Sequence, residues 1–97
     1  MDTQSNATSA EVHEALRAVI DPEVGIDIVT MGLVYDVEVD AGHAIITHTL
    51  TTPGCPLEHY ITDAIRAVVY AQPGIEEVTT RLVWEPRWTP AVMEENR

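Results

Sequence analysis

The chain has no lysine, and its five basic residues face 16 acidic ones, which gives a net charge of −11. A surface this negative repels phosphate backbones and anionic lipid headgroups. We therefore expect neither nucleic-acid nor membrane binding. Basic or metal-bearing partners fit the charge better, although the excess of acid is equally explained as a means of keeping a small protein soluble.

A second cysteine and a long apolar run are also missing. The single cysteine, Cys55, can form no internal disulfide and cannot alone make a closed four-ligand metal site. No apolar stretch approaches the ~18 residues that span a bilayer, and no basic segment opens a secretory signal. At 97 residues, 45% of them apolar, the chain is expected to form one cytoplasmic domain over 8–97 after a disordered tail over 1–7.

The first half of the chain predicts a helix followed by an ordered loop. Thr8 and Glu11 have the spacing of a capping box, and apolar residues then recur at helical spacing over 9–20. Asp21-Pro22 should end this helix, because the residue before proline is driven out of the α region. The next stretch, through 32, is long for a connection but rich in apolar residues, so it is expected to pack as an ordered loop of the kind that carries function.

The second half predicts strands around one more helix. Apolar and polar residues alternate over 33–40 and again over 43–51, and Asp40-Ala41-Gly42 supplies a turn between them. These two strands should form a hairpin. A second helix is expected to open at Pro56, and a third alternating strand over 78–85 follows it.

The predicted order is therefore α-β-β-α-β, an α/β fold of the α+β sandwich type. Two helices should pack on one face of a three-stranded sheet, because that arrangement buries both apolar stripes. Thr89-Pro90 predicts a short C-terminal helical turn. Trp84 and Trp88 are expected to cover edges of the core, or to form a partner surface if they are exposed.

Cys55 is the best candidate for chemistry. With Pro56 at the first helical position, Cys55 becomes the N-cap, and the unpaired N–H groups of the first turn point toward its sulfur. Helix N-termini lower thiol pKa values, and the thiolate is the form that attacks electrophiles and binds metals. The alternative, that Cys55 is simply a packed small side chain, is equally compatible with the spacing.

Four other side chains have a candidate role and a plainer alternative. His59 lies four residues after Cys55 and could share a metal with it, but an outward helical histidine is more often a solvated surface residue. Asp21 and Glu23 could present two carboxylates together, or form an Asx-type turn. His48 lies on the apolar face of its strand and is expected to be a hydrogen-bonded core histidine.

Two motifs in this order resemble a known family. The acidic motif is Asp21-Pro22-Glu23 followed by Gly25-Ile26-Asp27-Ile28-Val29 and Gly32-Leu33-Val34-Tyr35, and the cysteine turn is Thr51-Thr52-Pro53-Gly54-Cys55-Pro56-Leu57. Over about residues 10–86 the chain resembles the metal–sulfur cluster assembly domain family. That family includes SufT-type factors, PaaD-like proteins and the targeting subunits of eukaryotic cytosolic iron–sulfur assembly. The chain lacks the C-terminal cysteines of PaaD-like members, which favours the shorter, single-domain type.

The resemblance implies a non-enzymatic factor that matures iron–sulfur proteins or delivers clusters to them. Its partners would be the iron–sulfur assembly machinery and client apoproteins. It also implies that Cys55 is the thiol at the working site and a candidate cluster ligand. Asp21 and Glu23 match the acidic motif of the family, and Thr52 and Gly54 match its cysteine turn, so these four are candidate binding residues.

One cysteine limits how a cluster could be held. A cluster normally takes four ligands, so stable binding would need a symmetric dimer, a partner chain or a small thiol. We therefore expect a transient iron–sulfur cluster and no permanently bound cofactor. Two alternatives stay open: an acidic adaptor that binds proteins without a thiol role, and a thiol enzyme, which is weaker because no general base is placed near Cys55.

Overall fold

The computed structural model describes residues 7–51, 58–85 and 87–89. The elements, in chain order, are helix α1 (Ser9–Ala15), a 3-10 turn (Leu16–Ala18), strands β1 (Ile20–Asp21), β2 (Ile26–Asp27), β3 (Val34–Asp40) and β4 (His43–His48), helix α2 (Glu58–Tyr70) and strand β5 (Glu77–Leu82). Most of the predicted tail and the C-terminal helical turn that would begin at Pro90 lie outside the described residues. Ala7, assigned to the tail, is buried, and its N–H donates to the carbonyl of Pro73 at 2.8 Å.

The capping box at the start of α1 is confirmed. The Thr8 hydroxyl accepts from the backbone N–H of Glu11 at 3.1 Å, and the Glu11 carboxylate accepts from the N–H of Thr8 at 2.9 Å. The helix is shorter than predicted, because it tightens into the 3-10 turn after Ala15 and is extended by Val19. The reason is the following strand β1, which pairs with β2 and so requires an extended backbone from Ile20 onward.

The main sheet has the order β3-β4-β5. Strand β3 is antiparallel to β4, as the predicted hairpin requires, and β5 is parallel to β4, with α2 as the crossover between them. The hairpin closes through Ala41 and Gly42, whose φ angles of 50° and 86° are both positive, as in a type I′ turn. A bulge interrupts the β3–β4 ladder between Val34 and Asp36.

Both helices pack on one face of this sheet, as predicted. Helix α1 contacts β3, helix α2 contacts β5, and the two helices also touch each other. The apolar stripes of the helices and the inner positions of the strands form one core: Val12, Leu16, Ala44, Ile46, Ile61, Ile65, Val69 and Val78. The alternation of β4, with Ala44, Ile46 and His48 inward, is confirmed by their complete or near-complete burial.

The opposite face of the sheet is open. Cross-strand partners share a face, so the register places one outward residue of each strand in every row. The outward set consists of Asp36, Glu38 and Asp40 on β3, His43, Ile45 and Thr47 on β4, and Glu77, Thr79 and Arg81 on β5, all exposed or half-buried. Within the described ranges, no helix is long and apolar enough to cross a membrane.

Candidate functional site

The acidic motif forms a small hairpin that the sequence did not reveal. Strands β1 and β2 are antiparallel, with Asp21 opposite Ile26, and each strand has only two residues. The connection closes when the Asp21 carbonyl accepts from the N–H of Gly25 at 2.8 Å. Gly25 has a φ of 73°, which an L side chain adopts with strain. The loop is therefore ordered, as expected, but its order comes partly from strand pairing.

Asp21 is buried, and it holds the turn that follows it. Its Oδ1 accepts from the backbone N–H of Glu23 at 2.9 Å, so the Asx-turn interpretation is confirmed. Glu23 is exposed. Of the two carboxylates in the motif, one is used in the local structure and the other faces solvent.

The second half of the loop is fixed by a polar network that the sequence analysis missed. The Asp27 carboxylate accepts from the backbone N–H of Thr30 at 2.9 Å and from its hydroxyl at 2.7 Å. Arg17 donates to the Thr30 hydroxyl at 3.2 Å and lies 3.9 Å from the Asp27 carboxylate. The Asp-x-x-Thr spacing, typical of side-chain-capped turns, was the available signal.

A chain of backbone hydrogen bonds connects this loop to the strand end that leads to Cys55. The N–H of Ile28 donates to the carbonyl of Val19 at 2.9 Å, and the N–H of Leu33 donates to that of Ile28 at 3.0 Å. The N–H of Thr49 then donates to the carbonyl of Leu33 at 2.9 Å. The fold therefore holds the acidic loop against the residue that follows β4.

A surface groove of about 380 Å³ borders the same segment. The residues lining it within the described ranges are Thr49, Leu50, Thr51, Trp84, Glu85, Arg87 and Trp88. Trp88 packs against the core and donates its indole N–H to the carbonyl of Met31 at 2.6 Å. Trp84 is 39% exposed. The expectation that both tryptophans cover core edges therefore holds for Trp88, whereas Trp84 presents its ring at the surface.

Tyr35 lies within electrostatic reach of this groove. It sits at the β3 bulge, and burial together with the nearby Glu85 carboxylate raises the pKa of its phenol above the ordinary value. Both effects disfavour the phenolate, so Tyr35 is neutral at physiological pH.

His48 occupies the last position of β4 and is only 1% exposed. The prediction of a core histidine is confirmed, but the prediction that it is hydrogen-bonded is wrong: neither ring nitrogen has a partner. Burial lowers the pKa of His48 below its ordinary value, and this effect exceeds the opposing influences of the Thr49 backbone and the Glu58 carboxylate.

Cys55, Thr52 and Gly54 lie outside the described residues, so their predicted roles stay predictions. Thr51 and Glu58 are the described residues on either side of them. His59 is exposed near the start of α2, as expected of a surface histidine. Among the side chains that the structure describes, no three His, Cys, Asp or Glu residues are grouped closely enough to hold a metal ion.

Two curated bacterial proteins are similar to this chain over most of their length. One is the Fe-S protein maturation auxiliary factor YitW of Bacillus subtilis, 43% identical over 84 residues, which are 86% of this chain and 82% of that protein. The other is the Fe-S protein maturation auxiliary factor SufT of Staphylococcus aureus, 46% identical over 76 residues, which are 77% of this chain and 86% of that protein.

The fold is also found in a solved structure. A domain of unknown function from Bacillus anthracis superposes with a TM-score of 0.84 at 40% identity and covers 88% of this chain and 82% of that one. The profile of the family described as iron–sulfur cluster assembly proteins matches residues 9–80. This span contains both sequence motifs, the acidic hairpin and the whole sheet except the end of β5. The chain therefore belongs to the iron–sulfur cluster assembly protein family, and within it to the SufT-like type.

Proposed function

We propose that this protein is a non-enzymatic factor for iron–sulfur protein maturation, and that the Cys55 thiol performs its work during transient cluster transfer or client delivery. Membership of the family and the maturation factors among its relatives support the general role. The structural observation that carries the proposal is the hydrogen-bond chain from Val19 through Ile28 and Leu33 to Thr49. It fixes the acidic loop beside the segment that leads to the thiol.

The parts of the fold on either side of the cysteine turn are held in place. Thr49 is bonded to Leu33, and α2 is anchored in the core by Ile61 and Ile65. The segment containing Cys55 therefore joins two anchored parts of the fold. Thr51, the described residue before that segment, lines the groove.

The proposed step is a ligand exchange without a change of oxidation state. The Cys55 thiol loses its proton to solvent, and its sulfur forms a bond to a cluster iron as one ligand of the donor leaves and takes up a proton. The reverse exchange passes the cluster to the client. Glu23, exposed beside the buried Asp21, is available to a partner or to an incoming metal centre.

A single thiol supplies one of the four ligands that a cluster normally takes. The remaining ligands would come from a second copy of the chain, a partner of the assembly machinery, a client apoprotein or a small thiol. We therefore propose that any cluster is cargo, held briefly in the cytoplasm, and that the protein keeps no permanent cofactor.

The test is Cys55→Ser in cells whose iron–sulfur enzymes depend on this protein. At equal protein levels, client enzyme activity should fall to that of cells lacking the protein, because serine offers a poor ligand for cluster iron. The matched control is His59→Gln, at an exposed residue at the start of α2, which should retain full activity. Full client activity with Cys55→Ser would reject a thiol-dependent role, and a loss with His59→Gln would instead assign a ligand role to the histidine.

The acidic hairpin is tested by a pair of substitutions at Asp21. Asp21→Asn removes the charge but keeps an oxygen that accepts from the N–H of Glu23, whereas Asp21→Ala removes both. If the charge serves the proposed function, both variants lose client activity while Asp21→Asn keeps most of the folding stability. If the residue only shapes the turn, Asp21→Asn remains active and only Asp21→Ala is impaired.

The open face of the sheet favours a second candidate function, that of a protein-binding adaptor. Asp36, Glu38 and Asp40 are exposed on this face. The adaptor role predicts that Glu38→Lys combined with Asp40→Lys weakens client capture in a pulldown, while Cys55→Ser leaves it intact. Asp63→Lys, an exposed charge reversal on α2, is the control. Equal capture by all these variants contradicts the adaptor role.

A further inference from the structure

His48 is an ionisable side chain buried at the end of β4. It is 1% exposed and points from β4 into the core. Its cross-strand partners are Val34 on β3 and Leu82 on β5. Neither ring nitrogen has a hydrogen-bond partner, so no hydrogen bond compensates for the removal of the ring from water.

The charged groups around His48 give little support to a protonated ring. From α2, the carboxylate of Glu58 favours the charged form, while the facing residues of β3 and β5, Val34 and Leu82, carry no charge. The Thr49 backbone also favours the charged form but does not reach hydrogen-bonding geometry. Burial is the larger effect and holds the pKa of His48 below its ordinary value.

His48 is also the last residue of β4, and the segment that contains Cys55 follows this strand in sequence. Its carbonyl accepts from the N–H of Val83 at 2.9 Å, which prolongs the β4–β5 pairing. The next residue, Thr49, donates to Leu33 at 2.9 Å and so ties the strand end to the acidic loop. If the His48 ring left the core, both hydrogen bonds would be strained or broken.

We propose that His48 is a proton-sensitive latch: its neutral ring keeps the end of β4 closed, and its protonation opens the contacts of this strand end with the end of β5 and with the acidic loop. The direction follows from linkage. The open form exposes the ring to water and binds a proton near the ordinary histidine value of about 6.5, whereas the closed form resists protonation. Opening is therefore unaffected above about pH 6.5 and becomes more frequent as the pH falls below it.

Amide hydrogen exchange at Thr49 and Val83 measures this opening directly. In the wild-type protein, the protection factors of these two amides should fall by up to about tenfold per pH unit below about pH 6.5. In His48→Phe, which keeps an aromatic ring but cannot be protonated, they should stay constant. His59→Gln, which removes an exposed histidine, should behave as the wild type does. His48→Met supplies the same comparison with a more adaptable side chain, in case phenylalanine does not fit.

Two further outcomes sharpen the test. Glu58→Gln removes a charge that favours the protonated ring in the closed form. The onset of opening, which the exposed ring sets, should stay near about pH 6.5, and the loss of protection should continue to lower pH than in the wild type; a loss that levels off at higher pH contradicts the latch. Equal loss of protection in wild type, His48→Phe and His48→Met overturns it outright.

The latch and the proposed function can fail separately. Suppose that the protection of Thr49 and Val83 falls in acid only when His48 is present, and that Cys55→Ser supports full client activity. The latch then stands and the thiol role fails. Suppose instead that protection in acid does not depend on His48 and that Cys55→Ser is inactive. The thiol role then stands and the latch fails.

Discussion

The two ends of the central sheet are built in opposite ways. At the end where β3 turns into β4, backbone groups meet closely: the Gly42 carbonyl accepts from the N–H of Glu76 at 2.7 Å and from that of Glu77 at 3.1 Å. A Cβ added to Gly42 would lie 2.9 Å from the carbonyl oxygen of Gly74. These bonds between backbone atoms fix the hairpin and the start of β5.

The other end, where β4 leads to the cysteine turn, contains a buried ring without hydrogen bonds and an exposed aromatic side chain. His48 is buried without hydrogen bonds, and Trp84 is exposed beside a groove. The acidic loop reaches this end through Leu33 and Thr49. Close backbone contacts therefore stabilise one end of the sheet. The buried His48 ring without hydrogen bonds lowers the stability of the other end, which is the end proposed to handle clusters.

Among substitutions at the two ends of the sheet, Gly42→Ala should cause the largest loss in the free energy of unfolding. The substitution forces an alanine to a φ of 86° and brings its Cβ against the Gly74 carbonyl. We expect a loss of about 2–4 kcal/mol in the free energy of unfolding, from backbone strain plus steric overlap. Urea denaturation followed by circular dichroism measures it.

Gly25→Ala is the matched control for that measurement. Gly25 also has a positive φ, 73°, but nothing lies within 4 Å of an added Cβ. Only the backbone strain should remain, about 1 kcal/mol. Equal losses for the two variants would show that the contact with Gly74 does not secure the turn.

A smaller effect is expected at the groove end from Trp88→Phe. The substitution keeps most of the packing but removes the hydrogen bond from the indole to the Met31 carbonyl. A typical net contribution of about 1 kcal/mol should lower the melting temperature by roughly 4–8 °C. Trp84→Phe, at the exposed tryptophan, should leave it unchanged, and an equal decrease in both variants would contradict a specific anchoring role for Trp88.

The smallest effect should be a gain from Ala41→Asn at the tight end. Ala41 adopts a φ of 50°, and asparagine followed by glycine is the preferred pair for a type I′ turn. We expect about 0.5 kcal/mol more stability, read as a higher urea midpoint with an unchanged m-value. Ala41→Val, which places a β-branched residue at positive φ, should instead lower the midpoint; the reverse order would reject the turn assignment.

Much of this architecture could be predicted from local patterns. The alternation through Ala44, Ile46 and His48 identified the inner face of β4, and Thr8 with Glu11 identified the start of α1. These features depend on residues close in sequence, where periodicity and capping chemistry are strong signals. The strands of the acidic hairpin were missed because two-residue strands are too short to show alternation.

The site was predicted less completely because its contacts join distant parts of the chain. The spacing of His48 predicted its burial, but whether its nitrogens find partners depends on Val34, Leu82 and Glu58. The hydrogen bond from Trp88 to Met31 joins residues 57 positions apart, so no local sequence pattern predicts it. The resemblance to a family, rather than periodicity, drew attention to Cys55 and Asp21 together.

The most direct test of the central claim is cluster loading of the purified protein under anaerobic conditions. A cluster donor and glutathione are supplied to the wild type and to Cys55→Ser, and iron content and visible absorbance are recorded. The account predicts iron–sulfur absorbance with the wild type, lost when a client apoprotein is added, and none with Cys55→Ser. Equal loading of both proteins would contradict the assignment of the working thiol to Cys55.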